Sequence, residues 1–278
     1  MRVNLAAGIL SAALALAAAA QASAAAAAGD EPTYLAATNS SVMAFYYLWY
    51  GNPETDGRWL HWNHTILPHW TDSVNERYPN IGQAVATPPD GVHSRFYPSR
   101  GPYSVADRAT LLSQMTELRA SGVGVVVLSW WGRPGLSGGD SQGVVTDTRI
   151  GLVLSAAADI GLKVAWHLEP YEGRSVEFVR ADIAYLHLHY GKHSALYRRP
   201  VPGRAGAWPL YFVYDSYHIA AGDWAEGLLG HGGQSRSLRG TELDGTFIGL
   251  WLDREHGHDL ERGGRYQEGQ GWLVYTMS

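Results

Sequence analysis

Five short apolar segments of this 278-residue chain end in the same way, with aromatic and polar side chains together. They are FYYLWYG (Phe45–Gly51), VVVLSWW (Val125–Trp131), VAWHLEPY (Val164–Tyr171), LYFVYDSY (Leu210–Tyr217) and FIGLWLD (Phe247–Asp253). Helical patterns separate most of them, so the segments are expected to lie parallel with their polar ends converging on one face. That is the plan of a (β/α)8 barrel of the TIM type, whose ligand site sits at the C-terminal rim of the strands. Five such segments are fewer than eight. The expected fold is therefore an incomplete barrel of about five strands plus an abortive sixth. The strands are nearly continuous in Val, Leu, Ile and aromatics, as a parallel sheet covered on both faces requires. An open doubly wound sheet is the alternative. Against it, GNPETDG after the first strand lacks the G-x-G-x-x-G spacing and leads into WLHWNH instead of a capped helix.

Ser104 and Asp107, followed by Leu111, Leu112, Met115 and Leu118 at helical spacing and by Gly122 as a stop, predict a capped amphipathic helix before VVVLSWW. Asp147 opens a second helix, with Ile150, Val153, Leu154 and Ala157 facing inward and Gly161 ending it. Ser175 begins a third, with Phe178, Ile183, Leu186 and Tyr190 inside and Gly191 at its end, and Asp223 a shorter fourth. After a short linker at residues 29–41, no Pro/Ser-rich or charged stretch divides the chain. Residues 42–278 read as one partial (β/α) barrel domain.

Residues 1–28 carry one Arg, a small-apolar run and A-x-A sites near Ala20–Ala24, which reads as a signal peptide. The run from Leu5 through Ala20 and the following alanines nearly reaches the roughly 20 residues of a membrane span, so an uncleaved anchor is the alternative. Either way the domain is expected to face a lumen or the outside. The chain has no cysteine, so the core must supply stability without disulfides. Two glycosylation sequons, at Asn39 and Asn63, agree with that compartment. The 21 basic and 26 acidic residues are scattered, which leaves no electrostatic footprint for nucleic acid and favours a neutral ligand.

His167-Leu168-Glu169-Pro170-Tyr171 is the sharpest local feature. Pro170 cannot donate to a ladder and holds Glu169 extended, so the strand ends there with the carboxylate at the rim. Such a Glu serves as acid, base or hydroxyl acceptor; the plain alternative is a salt bridge to Arg174 or Arg133. Tyr214-Asp215-Ser216-Tyr217 ends the next strand likewise, which places a second carboxylate about 5 Å away, one strand spacing. Glu169 and Asp215 are candidates for the paired carboxylates of a retaining glycosidase. Trp59, Trp62, Trp70, Trp130 and Trp131 at strand ends suit the C–H faces of sugar rings, while Trp166 in mid-strand reads as core. His61, His64 and His69 match no zinc spacing, so no metal is expected. His187, His189 and His193 are expected to be solvated, and His256 and His258 to lie in a polar loop or helix.

FYYLWYGNPETDGRWLHWNH, FYPSRGPYS (Phe96–Ser104), VVVLSWW, HLEPY and FVYDSY, in this order and spacing, resemble the endo-α-1,2-mannosidases of glycoside hydrolase family 99. The resemblance runs from about Ala44 to about Gly264. It implies a (β/α)8 barrel without metal or other cofactor, acting on α-mannosyl linkages of N-glycans or mannans, in the Golgi lumen behind a type II anchor or as a secreted enzyme. It also implies retention through an anhydro-sugar: one Glu deprotonates the 2-hydroxyl and a second protonates the leaving oxygen. In the family both belong to an N-E-W-H-E-G motif at the end of the eighth strand, and this sequence contains no such motif. After DLERGG it runs RYQEGQGWLVYTMS, where a strand of the kind G-F-D-G-(V/I)-Y-T-Y-F is expected. The reading is a truncated chain, with the reacting pair expected beyond Ser278. By the resemblance Tyr46, His61, Trp62, Asn63, Trp130, His167, Glu169, Tyr171, Tyr214, Asp215 and Tyr217 line the sugar subsites. Two alternatives stand beside this: a non-catalytic mannoside-binding protein, and a self-sufficient retaining glycosidase using Glu169 and Asp215.

Overall fold

The computed structural model describes residues 37–65, 76, 82–83, 86–135, 139–140, 142–201, 203, 205–229, 237–250 and 272–275. The chain divides at Thr38, and the fold lies within Thr38–Ser278. The N-terminal run read as a signal peptide or anchor lies outside the described residues, as do His69, Trp70, His256 and His258. No helix among the described residues is long and apolar enough to cross a membrane.

Six parallel strands form the sheet in the order β1 (Asn39–Tyr46), β2 (Val123–Trp130), β3 (Lys163–Leu168), β5 (Ala207–Val213), β6 (Thr246–Leu250) and β7 (Trp272–Tyr275). The five expected strands are present, and β7 falls in the GWLVY of the expected sixth. The sequence reading missed β4 (Arg198–Pro200), a short antiparallel neighbour of β5. β1 begins at Asn39, ahead of the domain start read at 42, because the polar Asn39-Ser40-Ser41 sits on an exposed stretch that shows no apolar pattern.

The connecting helices are α1 (Pro53–Asp56), α2 (Arg108–Ala120), α3 (Asp147–Ile160), α4 (Val176–Tyr190) and the short α5 (Ala221–Trp224). Asp107 caps α2, its carboxylate accepting the Ala109 and Thr110 amides, while Ser104 lies buried one turn earlier. α3 stops at Gly161 in the left-handed conformation, φ 77°, which glycine adopts without a Cβ clash. Ser175 caps α4, whose buried stripe is Val176, Val179, Asp182, Ile183 and Leu186. Phe178 is exposed instead of buried. It lies five residues from Ile183, about 140° around the helix at 3.6 residues per turn, so Val179 takes the inward place.

β2, β3, β5 and β6 are buried on both sides over most of their length, yet the two faces differ. One faces the helices through a large cluster that includes Leu48, Val126, Leu128, Trp130, Val164, Trp166, Leu168, Tyr211, Val213 and Phe247. The other, inner face carries Val125, Val127, Ala165, Leu210, Phe212 and Ile248, with Met43 against them. Since side chains alternate along a strand, these two sets fix which residues at each C-terminal end point into the barrel.

Candidate active site

On β3 the inner set is Ala165, His167 and then Glu169 just past the strand end; on β5 it is Leu210, Phe212 and then Tyr214. Ser129, His167, Phe212 and Ile248 stand in direct register across four strands. One level higher, at the rim, the same parity brings Trp131, Glu169, Tyr214 and Leu250. β1 contributes Phe45 by the same alternation, and Tyr47 and Trp49 follow just past its end at Tyr46. Tyr47 stacks on Trp49 at 4.6 Å and Trp49 on His61 at 4.7 Å. Phe45 packs on His167 and Phe212, and His167 on Tyr214.

Glu169 is the chemical centre of this band. It is 4% exposed and accepts hydrogen bonds from the Ser129 hydroxyl at 2.8 Å and from His167 Nδ1 at 2.9 Å. Both bonds go to Oε1. Among the described residues Oε2 has no hydrogen-bond partner, so one carboxylate oxygen is anchored and the other is free to accept from a ligand. Anchoring through Nδ1 fixes which His167 nitrogen faces the carboxylate. The hydroxyls of Tyr47 and Tyr214 titrate above the usual tyrosine range: burial is the main cause, and the negative charge of Glu169 adds to it in both. Both therefore remain neutral hydroxyls able to donate.

A second acid network lies behind the rim. Asp182 on α4 accepts from Tyr171 OH and from Arg133 Nε, the latter at 2.8 Å. Burial raises the Asp182 carboxyl, opposed by those two hydrogen bonds and by the charge of Arg133 and Arg174. Burial also raises the Tyr171 hydroxyl, with Asp182 adding to the shift. Tyr171 thus faces α4. At the exit of β1, His61 is buried with φ 60° and its Nε2 lies 2.8 Å from Asp140 Oδ2. Trp62 stacks on Tyr50 at 4.2 Å and donates to the Tyr103 carbonyl at 2.8 Å. Asn63 is exposed beside it.

The structure brings His167, Glu169 and Tyr214 together on the inner rim, with Asp215 and Tyr217 in the adjoining turn, and joins His61 to them through Tyr47 and Trp49. It leaves others apart. Tyr46 lies on the opposite face from Phe45 and Tyr47, and its hydroxyl donates to Gln114 on α2. Trp130 is buried against Tyr185 and donates to Asp147 Oδ1 at 2.9 Å. Both belong to the helix-facing layer. Trp166, expected as core, is there too. Trp62 is sealed under Tyr50 and Tyr103, so it supports the rim without facing a ligand.

Glu169 and Asp215 do not form a same-face pair. Leu168 is level with Val213, so Tyr214 stands opposite Glu169 and Asp215 comes one residue later, in a left-handed turn at φ 48°, ψ 40°. Asp215 there accepts from Tyr217 OH at 2.8 Å. The adjacency of the two strands is as expected, but the parity of the residues along them is not. Among the described residues no group of three or more His, Asp or Glu side chains is arranged to hold a metal ion. His61 is committed to Asp140, and His64 Nδ1 faces the Thr65 carbonyl.

Sequence reasoning missed Tyr47, Trp49, Ser129 and Asp140, and it named Arg174 and Arg133 only as salt-bridge partners of Glu169, whereas Arg174 donates to backbone carbonyls and Arg133 pairs with Asp182. No signal in the sequence selects the first two: the inward parity of β3 carries to its neighbours only through the register between the strands, which the structure supplies. One result tests the assignment of Trp130 to the core. Trp130→Phe, which removes a donor from the buried Asp147, is expected to lower stability by about 2 kcal/mol in denaturant unfolding, with no change in ligand binding at the rim.

Comparison with known proteins bears on the family and the fold. The profile of Glycosyl hydrolase family 99 matches residues 37–269. A glycoprotein endo-alpha-1,2-mannosidase from Xenopus laevis is 40% identical over 227 residues, covering 81% of this chain and 48% of that protein. A glycoprotein endo-alpha-1,2-mannosidase-like protein from Homo sapiens is 38% identical over 221 residues, covering 80% and 46%. Among solved structures, the GH99 endo-alpha-mannosidase from Bacteroides thetaiotaomicron matches with a TM-score of 0.65 at 35% identity, covering 81% of this chain and 59% of that one. The chain spans about half the length of the curated relatives it matches.

Proposed function

The chain belongs to glycosyl hydrolase family 99, and from that membership we propose that its rim is an α-mannoside cleft of a glycoside hydrolase acting on α-mannosyl linkages. The observation that carries this reading is Glu169: a buried carboxylate with Oε1 fixed by Ser129 and His167 and, among the described residues, no hydrogen-bond partner on Oε2, set in a band of aromatic rings. A hexose needs both parts. Its hydroxyls want fixed charged acceptors and neutral donors, here Glu169, Tyr47 and Tyr214, while its C–H face packs on a ring of the aromatic band. Charge-assisted bonds of this type are stronger than neutral ones, and a buried site magnifies them.

In this reading Glu169 holds substrate. In the family the resemblance implies, the bond is broken by the carboxylates of an N-E-W-H-E-G pair, which this sequence does not contain, with retention through an anhydro-sugar. The alternative that pairs Glu169 with Asp215 is disfavoured by register, since the two leave their strands on opposite parities. We place the cleft in the secretory pathway, with residues 1–28 as signal peptide or anchor. Asn39 and Asn63, the two sequon residues, are both exposed and so accessible to glycosylation.

Calorimetry with α-1,2-mannobiose, beside a hydrolysis assay on the same sample, tests the reading. Saturable heat for mannobiose and none for cellobiose is expected. No saturable binding of mannobiose would remove the mannoside assignment, whereas binding without hydrolysis identifies the cleft as the binding half of the machinery.

A further inference from the structure

Arg174 belongs to the turn after β3, yet it reaches across to the end of β5. Its two terminal nitrogens donate to the Tyr214 carbonyl and the Asp215 carbonyl, each at 2.8 Å. These are the two peptide units flanking the left-handed Asp215, a conformation that costs a non-glycine residue of order 1 kcal/mol and persists only where the surroundings over-determine it. The rest of the turn is fixed too. Tyr217 donates to Asp215 Oδ1, Trp224 Nε1 donates to the Ser216 carbonyl at 2.8 Å, and the Leu250 amide donates to Ser216 Oγ at 3.1 Å. Around the guanidinium lie the charges of Asp215, Glu169 and Asp182 and the hydroxyl of Tyr171, so it is held in place from both strand ends.

We propose that Arg174 is a positioning residue: by gripping both carbonyls it locks the left-handed turn that keeps Tyr214 beside His167 and opposite Glu169, and so sets the cleft across β3 and β5. The inference rests on the mannoside reading of that cleft. A planar fork with two donors spans adjacent carbonyls, whereas an ammonium is a single point donor. Lysine therefore keeps the charge and loses the grip.

The test uses the full chain with Arg174→Lys, Arg174→Gln and Arg174→Ala. Hydrogen exchange of the peptide covering residues 211–219 reads the turn, and calorimetry with α-1,2-mannobiose reads the cleft. Exchange of that peptide is expected to rise about tenfold in Arg174→Lys, with affinity falling about tenfold. Methylguanidinium at millimolar concentration is expected to restore affinity in Arg174→Ala but not in the wild type. If the Lys variant does not fold, Arg174→Gln, which keeps one donor group and sheds the charge, gives the same two readouts. Unchanged exchange in a folded variant overturns the clamp. Faster exchange with unchanged affinity overturns the positioning role. Faster exchange in a protein whose wild type binds no mannobiose leaves the clamp standing and removes the mannoside reading instead.

Discussion

Arg149→Met is expected to destabilise the fold by about 3–5 kcal/mol, the usual cost of removing one partner from a buried ion pair. Arg149 lies in the first turn of α3 and is 6% exposed. One terminal nitrogen donates to the carbonyls of Leu48 and Tyr50 at 2.6 and 2.9 Å, and the other to Asp56 Oδ1 at 2.6 Å. Burial lowers its affinity for the proton, and the carboxylates of Asp56 and Asp140 oppose that shift. Methionine fills similar volume but supplies no donor, so two carbonyls and the buried Asp56 carboxylate lose their partner together. The carboxylate still accepts the Asn52 amide at 3.0 Å, which places the loss below the sum of the parts. Arg108→Met is the matched control. Arg108 pairs with Asp159 on the surface, both about half exposed, and exposed pairs contribute about 0.2–1 kcal/mol. Urea unfolding of the two variants is expected to differ severalfold; equal losses would mean that Arg149 does not fix the end of β1.

Arg149 and Arg174 mark where legibility in the sequence ended. The five strand ends could be read because each combines apolar continuity with a polar stop, most clearly at Glu169-Pro170. His167 and Glu169 could be placed on one face because they are two residues apart in an extended segment. The parity of the other strands could not be read. β2, buried on both sides, has no polar alternate to show which way it faces, which is why Trp130 reads as a rim residue; in the Phe45–Trp49 run the aromatic residues show no apolar–polar alternation, so Tyr46 reads as a rim residue while Tyr47 and Trp49 do not. Both rings of each neighbouring pair are aromatic, so composition cannot choose between them. Backbone-directed clamps leave even less trace. The partners of Arg174 are carbonyls, which every residue possesses, so nothing in Tyr214-Asp215 signals that a guanidinium will grip it. The same holds for His61 and Asp140, joined across 79 positions of sequence. Pattern reading found the layers and the strand ends; the contacts that orient those ends come from tertiary packing.

Glu169→Gln separates binding from support at the rim. The amide is nearly isosteric, and its oxygen can still accept from Ser129 and His167, so the anchored side of the group survives. The change falls on the other side, where Oε2 becomes an NH2 that donates but cannot accept. A sugar hydroxyl that gave its proton to a carboxylate then meets a donor. Hydrogen bonds to charged acceptors contribute about 1.5–3 kcal/mol, which at 1.4 kcal/mol per decade predicts an affinity for α-1,2-mannobiose about 10- to 100-fold weaker. Stability should move by less than about 1 kcal/mol, because the variant also relieves the desolvation of a buried charge. Calorimetry and unfolding on the same preparation give both numbers. Where turnover accompanies binding, the loss belongs to KM at least as much as to kcat if Glu169 holds the substrate, and to kcat alone if it transfers a proton in the transition state. A folded Glu169→Gln that binds mannobiose as tightly as the wild type would show that the free carboxylate oxygen does not touch the sugar, and the cleft would then have to be sought along the Trp49–His61 side of the aromatic band.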